Sequence, residues 1–351
     1  MLKTLPIGIQ NFSKLRKGNY LYVDKTEVLY RLITEGSYYF ISRPRRFGKS
    51  MMISTLAEIF EGNRNLFEGL YIHDKIQWKE HPVIRIDFSR TKFKDIGVRA
   101  ALVKILVANA EKYGIPLRDE QTLLKEGAGN ILGELIEKMH DKTGEKVALL
   151  VDEYDKPIID YLHETDTAVE HRDILRDFYG VIKPMDPYLE FVILTGVSKF
   201  SKVSIFSELN NLHDITRSRN FGDIAGLTKK EIDDNFEEYK QRTAQTLNMN
   251  PSSFEKELET WYDGYCWDEK THVFNPFSIL TFFQEQTFDN YWFESGTPTF
   301  LVNFIRDHGI SARSVENKAV DDNFFNKFDI ENPDIISLLF QTGYLTIREK
   351  D

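Results

Sequence analysis

With 351 residues, the chain has room for two or three domains and far exceeds a single small motif. Hydrophobic residues at 41% and charged residues at 28% exclude wholesale disorder. The lone cysteine, Cys266, excludes an intrachain disulfide framework or a cysteine-built zinc site, and points to a reducing compartment. With 45 basic against 55 acidic residues the net charge is -10, so DNA could be held only by a local basic patch, and the overall charge gives such binding no support.

The N-terminal stretch MLKTLPIGIQNFSKLRKGN lacks the continuous apolar run of a signal peptide. No segment nears the roughly 20 apolar residues of a membrane span. A water-soluble, cytoplasmic protein with no membrane partner is expected. Residues 38–41 form a β-rich run ahead of RPRRFGKS, and SMMISTLAEIF follows with Met52, Leu56 and Ile59 at helical spacing. PVIRIDF (82–88) alternates like a strand, and GVRAALVKILVANAEKYG reads as a helix ending at Gly114. Residues 121–140 contain another helix. Residues 147–151 are apolar throughout, as in a strand covered on both faces. Helical periodicity at 171–182 and a buried strand at 189–195 complete an order that predicts an α/β fold, a parallel sheet flanked by helices.

From Thr228 the texture changes. Thr228 with Glu231, and Ser252 with Glu255, fit capping boxes. Asn275-Pro276 and Thr297-Pro298 each set a capping residue before a proline suited to a first helical turn. The expected division is a core over 1–226 and a smaller, mainly helical lid or winged-helix-like region over 227–351. The tail LLFQTGYLTIREKD reads as a helix turning at Gly343 into a strand without a partner, and suggests a fragment of a longer protein.

The strongest chemical signal is Arg43-Pro44-Arg45-Arg46-Phe47-Gly48-Lys49-Ser50, between a predicted strand and a predicted helix. A phosphate-binding loop needs converging backbone N–H groups, a helix N-terminus behind them, a lysine for the β- and γ-phosphates and a hydroxyl for magnesium. Lys49 and Ser50 stand where the last two belong, and Gly48 allows close backbone approach. The departure is Arg43 in place of the usual first glycine. The alternative is a basic turn capping a helix. Arg43, Arg45 and Arg46 either neutralise phosphate, pair with carboxylates or bind a partner.

The strand VALLV runs into Asp152 and Glu153, which would lie at the sheet's carboxyl edge where open α/β sheets bind ligands. There Asp152 would hold magnesium and Glu153 would polarise a water; the alternative is an ordinary strand exit. Matched end-on, Thr195 in LTGVSK falls level with Asp152 and would sense the γ-phosphate or position the attacking water, unless it and Ser198 only satisfy the following turn. Arg217 and Arg219 are candidates for an arginine finger or lid sensor, or a solvated loop. The eight histidines show no HExxH spacing. The aromatic residues at 261–267 and 291–293 suit core packing of a lid or base stacking.

Taken as a set, YLYVDKT, SRPRRFGKS, LLVDEYDKP, LTGVSKFSKVSIF and FNPFSIL resemble the bacterial AAA-ATPase-like family across essentially the whole chain. The resemblance implies a P-loop NTPase with ATP and Mg2+ as cofactors. Lys49 and Ser50 would be the Walker A lysine and hydroxyl, and Asp152 and Glu153 the Walker B pair. Arginine at the first loop position is usual in that family. Lys49, Glu153 and Thr195 are then the catalytic candidates, residues 43–50 the nucleotide-binding set, and Ser50 and Asp152 the metal ligands. Members commonly carry a C-terminal PD-(D/E)XK nuclease-like domain, so an ATPase controlling such an effector or a protein partner in DNA processing or defence is implied. No Asp followed by a spaced Glu-x-Lys in a strand context is found after Thr228, so nuclease chemistry is not carried over. The competing expectation is a nucleotide-gated module that does not hydrolyse.

Overall fold

A computed structural model describes residues 2–199, 205, 209–296, 302, 306, 330 and 334–347. The first two helices, α1 (Phe12–Lys17) and α2 (Thr26–Glu35), precede the central strand β1 (Tyr38–Ser42). The loop then leads into α3 (Lys49–Phe60), followed by β2 (Val83–Asp87). Four helices come next: α4 (Phe93–Ile96), α5 (Val98–Lys112), α6 (Glu120–Lys125) and α7 (Ala128–Thr143). The helix expected within 121–140 is thus two helices, separated at Gly127, which has extended φ/ψ. Strand β3 (Val147–Asp152), helices α8 (Lys156–Ile159) and α9 (Thr165–Gly180), and strands β4 (Leu189–Gly196) and β5 (His213–Asp214) complete the α/β part.

All pairings in the five-stranded sheet are parallel, in the order β2-β3-β4-β1-β5. The apolar run of β3 follows from burial on both faces. Val147, Leu149 and Val151 join one core cluster with α5, α7 and α9, while Ala148 and Leu150 join the other with α1, α2 and α3. Because β4 lies between β1 and β3, the loop after β1 and the acidic end of β3 flank the end of β4. That topology positions the site.

Beyond residue 227, α10 (Lys229–Thr246), α11 (Pro251–Tyr262) and α12 (Pro276–Glu285) form a third apolar cluster, joined by Leu5 and Leu21 from the N-terminal segment. The capping box at Thr228 and Glu231 is present. The one expected at Ser252 and Glu255 is not: Asn250 caps α11, Pro251 takes the first turn, and Glu255 instead pairs with Lys229 at 2.7 Å. Proline's fixed φ suits the first helical turn and sets the start earlier. Asn275 caps α12 by accepting from the Ser278 N–H at 3.0 Å. Thr297-Pro298 lies outside the described residues.

Between α11 and α12 runs a hairpin the sequence did not announce, β6 (Tyr265–Cys266) with β7 (His272–Val273). Its Trp267 and Val273 pack into the sheet core. After α13 (Tyr291–Gly296), α14 (Ile335–Gln341) returns to that core, and the expected turn falls at Gly343. The segment beyond docks on the hairpin, with the Cys266 N–H donating to Thr346 Oγ1 at 2.8 Å. No helix among the described residues is long and apolar enough to cross a membrane.

Candidate active site

The loop after β1 turns sharply twice. Arg46 has φ 71 and Gly48 has φ 92. A glycine at 48 takes that left-handed conformation without the steric cost of a Cβ. Helix α3 starts immediately afterwards, so its unpaired N–H groups face the loop. Lys49 is 6% exposed, and its Nζ donates to the carbonyls of Arg43 at 2.8 Å and Pro44 at 2.9 Å. Burial pulls its ammonium below the ordinary lysine range, opposed by the charges of Asp152, Glu153 and Asp155. The ammonium therefore lies within the field of the acidic strand end.

At the end of β3, Asp152 is 4% exposed and accepts from the Thr195 hydroxyl at 2.7 Å. The register that pairs Val151 with Leu194 brings these two residues level. Glu153 leaves the strand with φ 53, uncommon for a residue with a side chain and typical of functional turns. Burial raises its carboxyl above the usual glutamate range, and Lys49 partly counters the shift.

A cavity of about 480 Å³ opens beside these groups. Its polar wall includes Arg45, Arg46, Lys49, Ser50, Glu153 and Lys156. Its apolar wall includes Ile7, Leu21, Ile224, Leu227, Phe277 and Leu280, drawn from the N-terminal segment and the later helices. Lys49, Ser50 and Glu153 thus meet at one cavity, with Asp152 and Thr195 immediately behind and not on its wall.

Arg43 does not border the cavity. It is 1% exposed, donates to the Thr216 carbonyl at 2.7 Å, and lies 4.5 Å over the Trp267 ring. Burial lowers its guanidinium to about 10, so it stays charged at neutral pH. Phe47 borders the cavity, yet its ring packs edge-on against Tyr265 at 4.8 Å and Trp267 at 5.1 Å. Arg46 lies 4.7 Å over Phe277 of α12. Arg217 and Arg219 are absent from the cavity wall and both pair with Glu269 on the hairpin, at 3.2 and 3.1 Å.

Sequence reasoning missed Asp155. It is 1% exposed, and its Oδ2 accepts from the Val197 N–H at 2.9 Å, the Ser198 N–H at 2.6 Å and the Ser198 hydroxyl at 2.9 Å. This clamp fixes the exit of β4 against the exit of β3, and Ser198 is engaged in it. The contact is close enough that a Cβ on Gly196 would come within 2.7 Å of Asp155 Oδ1. The motif VDEYDKP carried the signal, through a third acid that neither metal nor base role required. Nothing in the sequence marked the apolar wall, which is assembled from segments more than 200 residues apart.

A parallel sheet whose first strand passes through a Gly-Lys-Ser loop into a helix, with an acidic strand end beside it, defines the P-loop NTPase-like class. The chain belongs to a family described as predicted AAA-ATPase, whose profile it matches over residues 6–206. It is also 42% identical over 348 residues to an uncharacterized protein in the vnfD 5'region of Azotobacter chroococcum mcd 1. That alignment covers 98% of this chain and 64% of the relative, so the chain spans less than two thirds of the relative's length. No solved structure matches the chain significantly.

Proposed function

We propose that the protein is a magnesium-dependent ATPase whose nucleotide state is felt by its C-terminal helices. The observation that carries this reading is the meeting of Lys49, Ser50 and Glu153 at one cavity, beside the buried Asp152–Thr195 pair. The α3 N-terminus and the loop N–H groups suit an anion. Lys49 would exchange the Arg43 and Pro44 carbonyls for β- and γ-phosphate oxygens, with Arg45 and Arg46 adding positive charge at the rim. Ser50 and Asp152, the latter directly or through water, fit a magnesium ion, which would neutralise charge on the terminal phosphates. One carboxylate and one hydroxyl suffice when the nucleotide supplies further oxygens. Glu153 is the general base that accepts the proton of the attacking water, and its raised pKa suits that work.

The apolar wall suits a nucleobase. Since Phe277 and Leu280 of α12 belong to that wall, a bound nucleotide would touch the helical region directly, and closure there would exclude water. Any effector moved in this way, a nuclease-like domain or a protein partner, is part of the proposal.

The test is phosphate release with and without magnesium. Lys49→Ala should lose ATP binding and release together. Glu153→Gln should keep the rise in melting temperature with ATP while release falls about 10²–10⁴-fold. Wild-type release by Glu153→Gln would remove the base assignment. A wild type stabilised by ATP yet without magnesium-dependent release would leave the non-hydrolysing gate instead.

A further inference from the structure

The cavity holds a cation that neither the loop nor the acidic pair accounts for. Lys156 borders it, three residues after Glu153. A turn joins the two, with the Lys156 N–H donating to the Glu153 carbonyl at 3.0 Å. The charge of Lys156 also acts on the Glu153 carboxyl. Its side chain is 25% exposed and donates to Asp160 at 2.9 Å. Asp160 in turn lies 3.5 Å from Lys94 and 3.8 Å from Arg45, and is itself 12% exposed. Three cations thus share one carboxylate, and two of them, Arg45 and Lys156, border the cavity. Those two set positive charge where a polyanion would sit.

Phosphoryl transfer calls for such a charge. The attacking water's oxygen bonds to the γ-phosphorus, the bond to the β–γ bridging oxygen breaks, and its electron pair leaves with ADP. The water's proton passes to Glu153. Negative charge spread over the γ-phosphoryl oxygens is commonly met by a mobile arginine. Here the two sequence candidates, Arg217 and Arg219, are tied to Glu269 and absent from the cavity wall. We propose that Lys156, positioned by Asp160, is the cation that contacts the terminal phosphate and stabilises its charge during hydrolysis. The proposal rests on the ATPase assignment. In it ATP draws Lys156 from Asp160 toward the γ-phosphate.

The experiment compares wild type, Lys156→Gln and Lys156→Arg as the full chain. It measures kcat and KM for magnesium-dependent phosphate release, and ATP and ADP affinities by calorimetry. Lys156→Gln should lower kcat by about 10²-fold, as loss of one preorganised donor does. Its ADP affinity should stay near wild type while the advantage of ATP over ADP shrinks, and Lys156→Arg should recover most of the rate. Wild-type kcat with an unchanged ATP-to-ADP ratio in Lys156→Gln would overturn the proposal. Equal loss of ATP and ADP affinity with a lowered melting temperature would also overturn it, by assigning Lys156 to the scaffold. If wild type binds both nucleotides without turnover, the ATP-to-ADP ratio of Lys156→Gln decides. If wild type binds neither, the ATPase assignment itself falls and takes the proposal with it.

Discussion

Residues 43–50 form a loop with two unlike faces. Toward the cavity it presents Arg45, Arg46, Lys49 and Ser50, groups whose value lies in charge and hydrogen bonding. Behind, the Arg43 guanidinium and the Phe47 ring are held by Trp267 and Tyr265, while the Trp292 indole donates to the Arg45 carbonyl at 3.1 Å. Three arginines within four positions therefore meet three fates: Arg43 buried on a tryptophan, Arg45 near a carboxylate at 3.8 Å, Arg46 over a phenylalanine. The front depends on preorganised charge, and preorganisation depends on a back that does not move. In this loop the back is packed by residues more than 200 positions away in the chain.

The largest effect expected from breaking that division is at Phe47. Its ring is 1% exposed and surrounded by aromatic neighbours, so Phe47→Ala should cost about 3–5 kcal/mol of stability. Denaturant unfolding measures this directly, and a fall in the midpoint at constant slope marks the packing loss. Unchanged stability with lost nucleotide binding would instead move Phe47 to the front face.

A second prediction sharpens the front. As the proposed base, Glu153 would have to be ionised to accept a proton, and burial raises its pKa. The turnover rate should therefore decline as pH falls through that raised value, above the range of an ordinary glutamate near about 4.3. Burial conversely lowers the pKa of Lys49, so charge is lost there from a lower pH than in a free lysine, and nucleotide affinity should weaken on the alkaline side. A pH–rate profile of kcat reads the first limb and ATP affinity reads the second. If Glu153→Gln keeps the acidic limb in its residual rate, that limb belongs to another group.

The contrast also explains how much could be read in advance. Local signals were legible: the apolar runs of β3 and β4, the helix following Gly48, the Thr228 cap, and the acids at the end of β3. Each depends on residues within one turn or one strand, which the period of the pattern exposes. Hidden features depended on distant chain. The two-residue strand β5 is too short to show alternation, and the β6–β7 hairpin is equally brief. Arg43 could not be told from Arg45, because what separates them is Trp267. The cavity's apolar wall combines Ile7 with Phe277, which no local window contains. Asp155 stood in plain view, but its three hydrogen bonds all go to the exit of another strand.

The smallest effect belongs to the residue linking the sheet to the site. Thr195 is fully buried, and its hydroxyl donates to Asp152 at 2.7 Å. Valine keeps the shape and removes the donor, leaving Asp152 Oδ1 without that partner. A hydrogen bond to a charged group is worth about 1.5–3 kcal/mol, so Thr195→Val should slow turnover by about 10- to 10²-fold. Because the hydroxyl orients the carboxylate and does not border the cavity, the loss should appear as a higher magnesium requirement. The ATP-to-ADP affinity ratio should be unchanged, and Thr195→Ser should restore the rate. A contact from Thr195 to the γ-phosphate would give the opposite split, with magnesium dependence intact and ATP losing its advantage over ADP. Steady-state kinetics at varied magnesium, with calorimetric nucleotide affinities, separates the two.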